Sequence, residues 1–210
     1  MTKILIIGAG GYGRELLQWI KDINEVKPTW QIAGFLDDNL NALDGIECDY
    51  PMLGRVSDWQ PADDEEFALA IGAPRTKEKI VASMKERGAV FATVIHPTAT
   101  LTQFSKYGEG LVMFPQSKLS VNSSVGDFVT ILSSGIGHDV EIGDYTTVSG
   151  ACSILRNAKI GKRVFLAANV AISNDIVIGD DAYIGIGSIV IKDVAAGQKT
   201  FCNPARVLPS

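Results

Sequence analysis

The chain has 210 residues, enough for one large or two small hydrophobic cores. Its net charge of −5, from 19 basic and 24 acidic residues, offers no basic field to nucleic acid or anionic lipid, so neither partner is expected. Cys48, Cys152 and Cys202 share no metal-ligand spacing and read as reduced thiols, and the four apolar residues at 4–7 are too few for a signal-peptide core or a membrane span, which points to a soluble cytoplasmic protein.

Residues 3–7 form a short apolar run of the kind that makes a buried parallel strand. It leads directly into Gly8-Ala9-Gly10-Gly11-Tyr12-Gly13, after which Leu16, Leu17, Ile20 and Ile23 recur at helical spacing with Trp19 beside them. A second strand over 31–36 ends in Asp37-Asp38, and a third over 67–71 ends in Gly72-Ala73-Pro74. Thr76 then caps a helix over 77–87 that Gly88 stops, and a last strand over 90–94 runs into His96-Pro97. Residues 39–61, with Asp44-Gly45 and Pro51, read as an irregular excursion. Residues 1–94 are therefore expected to form a small three-layer α/β domain.

Gly8-x-Gly10-x-x-Gly13 follows a strand, opens a helix and has Asp37 at the end of the next strand, which is the dinucleotide fingerprint of a Rossmann-like unit. In physical terms the glycines let a phosphate approach backbone N–H groups at a helix start, and the acid accepts from a ribose hydroxyl or a base. A nicotinamide enzyme would need a second mononucleotide half, and none follows; a nucleotide-linked ligand and a merely structural turn are the remaining readings.

From Ile95 the pattern changes. Apolar residues stand every sixth position from Ile95 through Leu101, Tyr107, Met113, Leu119 and Val125 to Ile131, then five on at Ile136, then every sixth again to Val190. With 46% apolar residues, seventeen consecutive hits by chance are about two in a million. Four residues after each comes a small or β-branched residue, with Leu111 as the bulky exception. Six suits a short strand plus a corner, and three such faces make an 18-residue coil whose inward residues stack as ladders. Glycines such as Gly126, Gly143, Gly161, Gly179 and Gly185, directly after an inward residue, fit where the backbone bends tightly. Residues 95–210 are expected to form this prism with a C-terminal tail, whose segment 201–206 covers or flanks the open end.

The repeat resembles that of the hexapeptide-repeat acyltransferases, a resemblance that implies a left-handed parallel β-helix. Glycine loop and prism in this order resemble one subgroup closely, the bacterial sugar acetyltransferases that include sialic acid O-acetyltransferase and the N-acetyltransferases of UDP-4-amino sugars. The resemblance rests on residues 8–13, on Phe35-Leu36-Asp37-Asp38, Ala70-Ile71-Gly72, His96-Pro97 and Gly137-His138-Asp139, and on Asn203-Pro204-Ala205-Arg206. It implies an acetyl-CoA-dependent, metal-free transferase, a homotrimer with coenzyme A between neighbouring prisms, coenzyme contacts at Thr147, Ala168 and Ile186, and a nucleotide sugar held by Gly10, Gly11, Asp37, Asp38 and Gly72. Tyr12, also placed among the substrate contacts, stands where the characterised amino-sugar members carry a histidine.

Acetyl transfer needs a base for the acceptor's proton, and histidine titrates nearest neutrality. Of the two histidines, His96 at the domain junction reads as structural. His138 lies in the coil that has lost a residue, where a distorted corner is expected to free side chains from the ladder's alternation. Asp139 follows it and would orient the ring, with Glu141 and Asp144 as substitutes; the family likeness puts an acid at the Asp139 position. Cys152 occupies a small slot and is not the nucleophile. A metal-dependent enzyme on the same prism would need three histidines per zinc. The competing reading is a non-catalytic nucleotide-sugar-binding scaffold, which would not need His138.

Overall fold

The computed structural model describes residues 1–201. The N-terminal unit is a five-stranded parallel sheet of β1 (Thr2–Ile7), β2 (Trp30–Leu36), β3 (Met52–Gly54), β4 (Glu65–Leu69) and β5 (Val90–Phe91), in the order β3-β2-β1-β4-β5. Helices α1 (Gly11–Val26) and α2 (Pro74–Glu86) cover it. The excursion at 39–61 thus supplies an edge strand, and α2 starts earlier than Thr76, with Pro74 in its first turn and Ala73 as an N-cap without a side-chain bond. Val94 does not end the sheet. It already pairs with Val112 in the prism, so the two units meet over residues 92–93.

The prism is a parallel β-helix built of two-residue strands. Face one runs from Val94–Ile95 through Val112–Met113, Thr130–Ile131, Thr147–Val148, Phe165–Leu166 and Tyr183–Ile184 to Lys199–Thr200. Face two holds Gly135–Ile136, Ser153–Ile154 and Ile189–Val190 among others, and face three holds Glu141–Ile142 and Lys159–Ile160. In every strand from Val94–Ile95 to Ile189–Val190 the second residue is the ladder residue expected from the six-residue rhythm, and from Met113 to Val190 these residues are buried in one core, with the exposed Leu101 and Tyr107 in the first coil. The small slots are buried as well; Ser117, Ser123 and Thr146 each donate a hydroxyl to a carbonyl inside the coil, so their polar atoms are satisfied.

From Leu101 to Ile184 each corner turns on one left-handed residue, and with one exception it stands three after the inward residue: Phe128 after Val125, Asp139 after Ile136, Tyr145 after Ile142. After Ile131 it comes two on, at Ser133 with φ 44°. The missing residue is therefore taken from corner 132–134, between faces one and two, and the corner that carries His138 is regular. This corrects the expectation that His138 owes its freedom to the defect. The Ser134 hydroxyl patches the short corner, donating toward Ser149 O at 2.6 Å and accepting from Cys152 N–H at 2.9 Å. The Cys152 thiol donates to Ala167 O at 3.1 Å and burial pushes its pKa up, in keeping with a packed slot and not a nucleophile.

The α/β unit docks on face one. On the α1 side of the sheet, Val112 and Phe114 of the prism join a core with Ile4, Leu16 and Ile20; on the α2 side Phe128 joins one with Leu5, Val81 and Met84. His96 sits in this seam, its Nε2 3.1 Å from Asp22 and its ring edge-on to Trp19 at 5.3 Å. The Thr98 N–H donates to Nδ1 at 3.1 Å, so that nitrogen carries no proton and Nε2 donates to Asp22. The histidine read as structural is a clamp between the two units.

Candidate active site

His138 stands at the corner between faces two and three, the edge opposite face one. Gly137 before it lies against the next coil, where a Cβ would be 2.9 Å from Ile154 O and 3.0 Å from Arg156 N. Asp139 is the left-handed residue of the corner at φ 59°, in a column with Asn122, Asn157 and Asp175, residue types that tolerate this conformation. Its carboxylate is 2.6 Å from His138 Nδ1, which leaves Nε2 as the ring's open nitrogen. The hydrogen bond from His138 holds the Asp139 carboxyl below its usual range, and one from Asn122 adds to this. About half of each side chain is exposed, 48% and 45%. Neither substitute acid is on the ring: Glu141 pairs with Lys159 at 3.3 Å and Asp144 with Lys162 at 2.7 Å.

The glycine loop borders a cleft of about 440 Å³ between the α/β unit and face one. Gly10, Tyr12, Asp37 and Gly72 line it from one side, and Leu132, Thr147, Ser149 and Phe165 of the prism from the other. The fingerprint glycines divide in role. A Cβ on Gly13 would lie 1.9 Å from Gly8 O, and Gly8, at φ +101°, has Ala70 O at 2.8 Å, so both are demanded by packing. Gly10 has open space where a Cβ would go, and Gly11 has only the Arg14 guanidinium, 4.0 Å away. Asp37 accepts from Ala9 N–H at 2.8 Å and from Asn39 N–H at 2.9 Å, fixing the loop while keeping lone pairs for a ligand. Asp38 is turned to the neighbouring loop, where it accepts from Ser57 N–H at 3.2 Å. Tyr12 stacks edge-on against Phe114 at 5.5 Å, and its hydroxyl reaches Thr130 Oγ1 at 3.4 Å. Burial holds this phenol protonated far above its ordinary range, so it is a wall of the cleft and not a base.

Residues 3–84 match the PglD N-terminal domain family. The GDP-perosamine N-acetyltransferase of Escherichia coli O157:H7 is 29% identical over 193 residues, covering 90% of this chain and 78% of that protein. The acetyltransferase domain of PglB from Neisseria gonorrhoeae, solved in complex with acetyl coenzyme A, superposes with a TM-score of 0.86 at 23% identity over 99% of both chains. PerB from Caulobacter crescentus, solved in complex with CoA and GDP-perosamine, gives 0.82 at 21% identity, covering 93% of this chain and 92% of that one. Along most of its length the chain is similar to these acetyltransferases, and its N-terminal unit matches the PglD N-terminal domain.

Within one chain the expected site residues fall into two groups. Ala168 and the exposed Ile186 stand one coil apart on the edge between faces one and two, on the same side as the cleft. Thr147 is buried in the cleft wall, and its hydroxyl donates to Gly72 O at 2.8 Å, so its side chain serves the domain seam. His138 and Asp139 lie across face two from all of these. Sequence reasoning missed Leu132, Ser149 and Phe165, which enter the cleft only because the α/β unit docks on face one. It also missed Lys77 of α2, 1% exposed, whose ammonium donates to Phe128 O, Thr130 Oγ1 and Thr146 O at 2.9, 3.1 and 3.2 Å. The sequence signal for the cleft was the glycine fingerprint with Asp37; on the prism side there was only the residue lost between Ile131 and Ile136.

Proposed function

We propose that the protein transfers the acetyl group of acetyl-CoA to an amine or hydroxyl of a nucleotide-linked sugar, as a cytoplasmic homotrimer serving glycan biosynthesis. The glycine-loop cleft takes the nucleotide sugar, with Gly10, Gly11 and the start of α1 toward its phosphates and Asp37 toward its ribose or base. Coenzyme A lies along the edge that carries Ala168 and Ile186. Because His138 occupies the edge opposite face one, the cleft that serves it belongs to a neighbouring protomer, and face two, bounded by both edges, turns toward the other subunits. Relatives with bound CoA and GDP-perosamine support both ligand classes.

In the ternary complex the acceptor's nitrogen or oxygen attacks the thioester carbon while His138 Nε2 removes its proton. The tetrahedral intermediate collapses, the C–S bond breaks, and the thiolate of CoA takes the proton back from the imidazolium. Asp139 fixes the ring with Nε2 outward and stabilises its cationic form. No acyl-enzyme is needed. The observation that carries this reading is the 2.6 Å contact between Asp139 and Nδ1, which a scaffold has no use for. Free-thiol release from acetyl-CoA with nucleotide amino sugars tests it: His138→Ala should keep its fold and lose at least about a hundredfold in rate. Equal rates for mutant and wild type would leave the scaffold reading standing.

A further inference from the structure

One residue beside the imidazole has no part in the scheme above. Arg156 stands 18 residues after His138, at the same corner position one coil on, about 4.8 Å along the prism axis. The corners are tied together by the bond from Asn157 N–H to His138 O at 3.2 Å and by the close approach of Gly137 to Arg156 N. Three cations of the prism pair with an acid one coil away: Lys159 with Glu141, Lys162 with Asp144, Arg163 with Asp181. The corresponding neighbours of Arg156 are His138 and Asn174. The carboxylates along the same edge bond to other residues, Asp139 to His138 and Asp175 to Asn157 Nδ2 at 2.9 Å. Among the described residues the exposed guanidinium has no acceptor, although five donors in a rigid fork suit one well.

Resting on the acetyl-transfer reading, we propose that Arg156 is a specificity-determining residue that grips a carboxylate on the acceptor sugar next to the atom His138 deprotonates. The other anions in the complex are less well placed. The nucleotide's phosphates belong at the glycine loop. The phosphates of the coenzyme are separated from the thioester by a pantetheine arm as long as about four extended residues, roughly 15 Å, or about three coils. A planar carboxylate one coil from the base fits the guanidinium in bidentate fashion.

The test compares thiol release by wild type, Arg156→Met and Arg156→Lys with matched nucleotide-linked sugars, UDP-glucuronate against UDP-glucose and their amino-substituted counterparts. The wild type should favour the carboxylate member by about ten- to hundredfold in kcat/KM, the worth of a hydrogen bond to a charged group. Arg156→Met should abolish that preference, Arg156→Lys should keep part of it, and the KM for acetyl-CoA should stay within about twofold. An equal or inverted preference in the wild type, or a preference that survives in Arg156→Met, overturns the assignment. So does a loss seen with acetyl-CoA but absent with S-acetylpantetheine, which would seat the guanidinium on coenzyme phosphate. No turnover by the wild type with any sugar would strike down the acetyl-transfer reading itself, and this one with it.

Discussion

Asp139 carries two constraints at one position: a left-handed φ of 59° that shapes the corner, and a carboxylate that fixes the His138 ring. Replacement separates them. Asp139→Asn tolerates the backbone and should leave the melting temperature within a few degrees, while removing the negative charge that supports the imidazolium; kcat should fall by about ten- to hundredfold. Asp139→Ala should lose similar activity and in addition about 1 kcal/mol of stability from the left-handed strain, measurable by denaturant unfolding. The pair was legible in the sequence because the chain has two histidines and the rhythm puts one of them at a corner. The reason first given for it, the lost residue, belongs to the corner before. Spacing alone counts a deletion between Ile131 and Ile136 without saying which residue of the turn is gone; the left-handed Ser133 answers that. Lys77 was invisible for a different reason: its three acceptors lie 51 to 69 residues away in the prism, and a lysine on an amphipathic helix reads as solvated until the helix is docked.

Among the elements, the β-helix was readable rung by rung because its period is local and each inward slot is filled independently. The α/β unit was readable as strand, glycine turn and helix, but β3 was not, since three residues ending in glycine carry no periodicity. Within the loop before α1, the fingerprint does not say which glycines are for packing and which for a ligand. Gly13→Ala drives a Cβ into Gly8 O and should cost about 3 kcal/mol or more, or prevent folding. Gly10→Ala, an N-cap at φ −68° facing open space, should stay within about 1 kcal/mol of the wild type by urea denaturation. Equal losses at the two positions would contradict the division of roles.

For the molecule as a whole, the seam between the α/β unit and face one is where stability and pH meet. Burial pushes the Lys77 ammonium from 10.5 down to about 7, while its three oxygen acceptors work the other way. With burial dominant, the unfolded chain holds a proton here between about pH 7 and 10.5 that the folded chain sheds, so this group makes stability rise with pH across that window and leaves it level on either side. The difference in unfolding free energy between wild type and Lys77→Met should therefore rise by up to about 1.4 kcal/mol per pH unit from pH 7 to 10. A flat difference would mean that the acceptors hold the ammonium charged throughout.

The same seam fixes the cleft on one side of the prism and leaves His138 on the other, so the central claim is that an active site is shared between subunits. Co-expression of His138→Ala with Gly10→Trp, which fills the open side of the loop, tests it most directly. Each variant alone should be inactive, and mixed assemblies should recover about a quarter of wild-type activity, since random assortment gives one site in four an intact histidine and an intact cleft. Mixed assemblies as inactive as the two parents would place base and cleft in the same protomer and contradict the account.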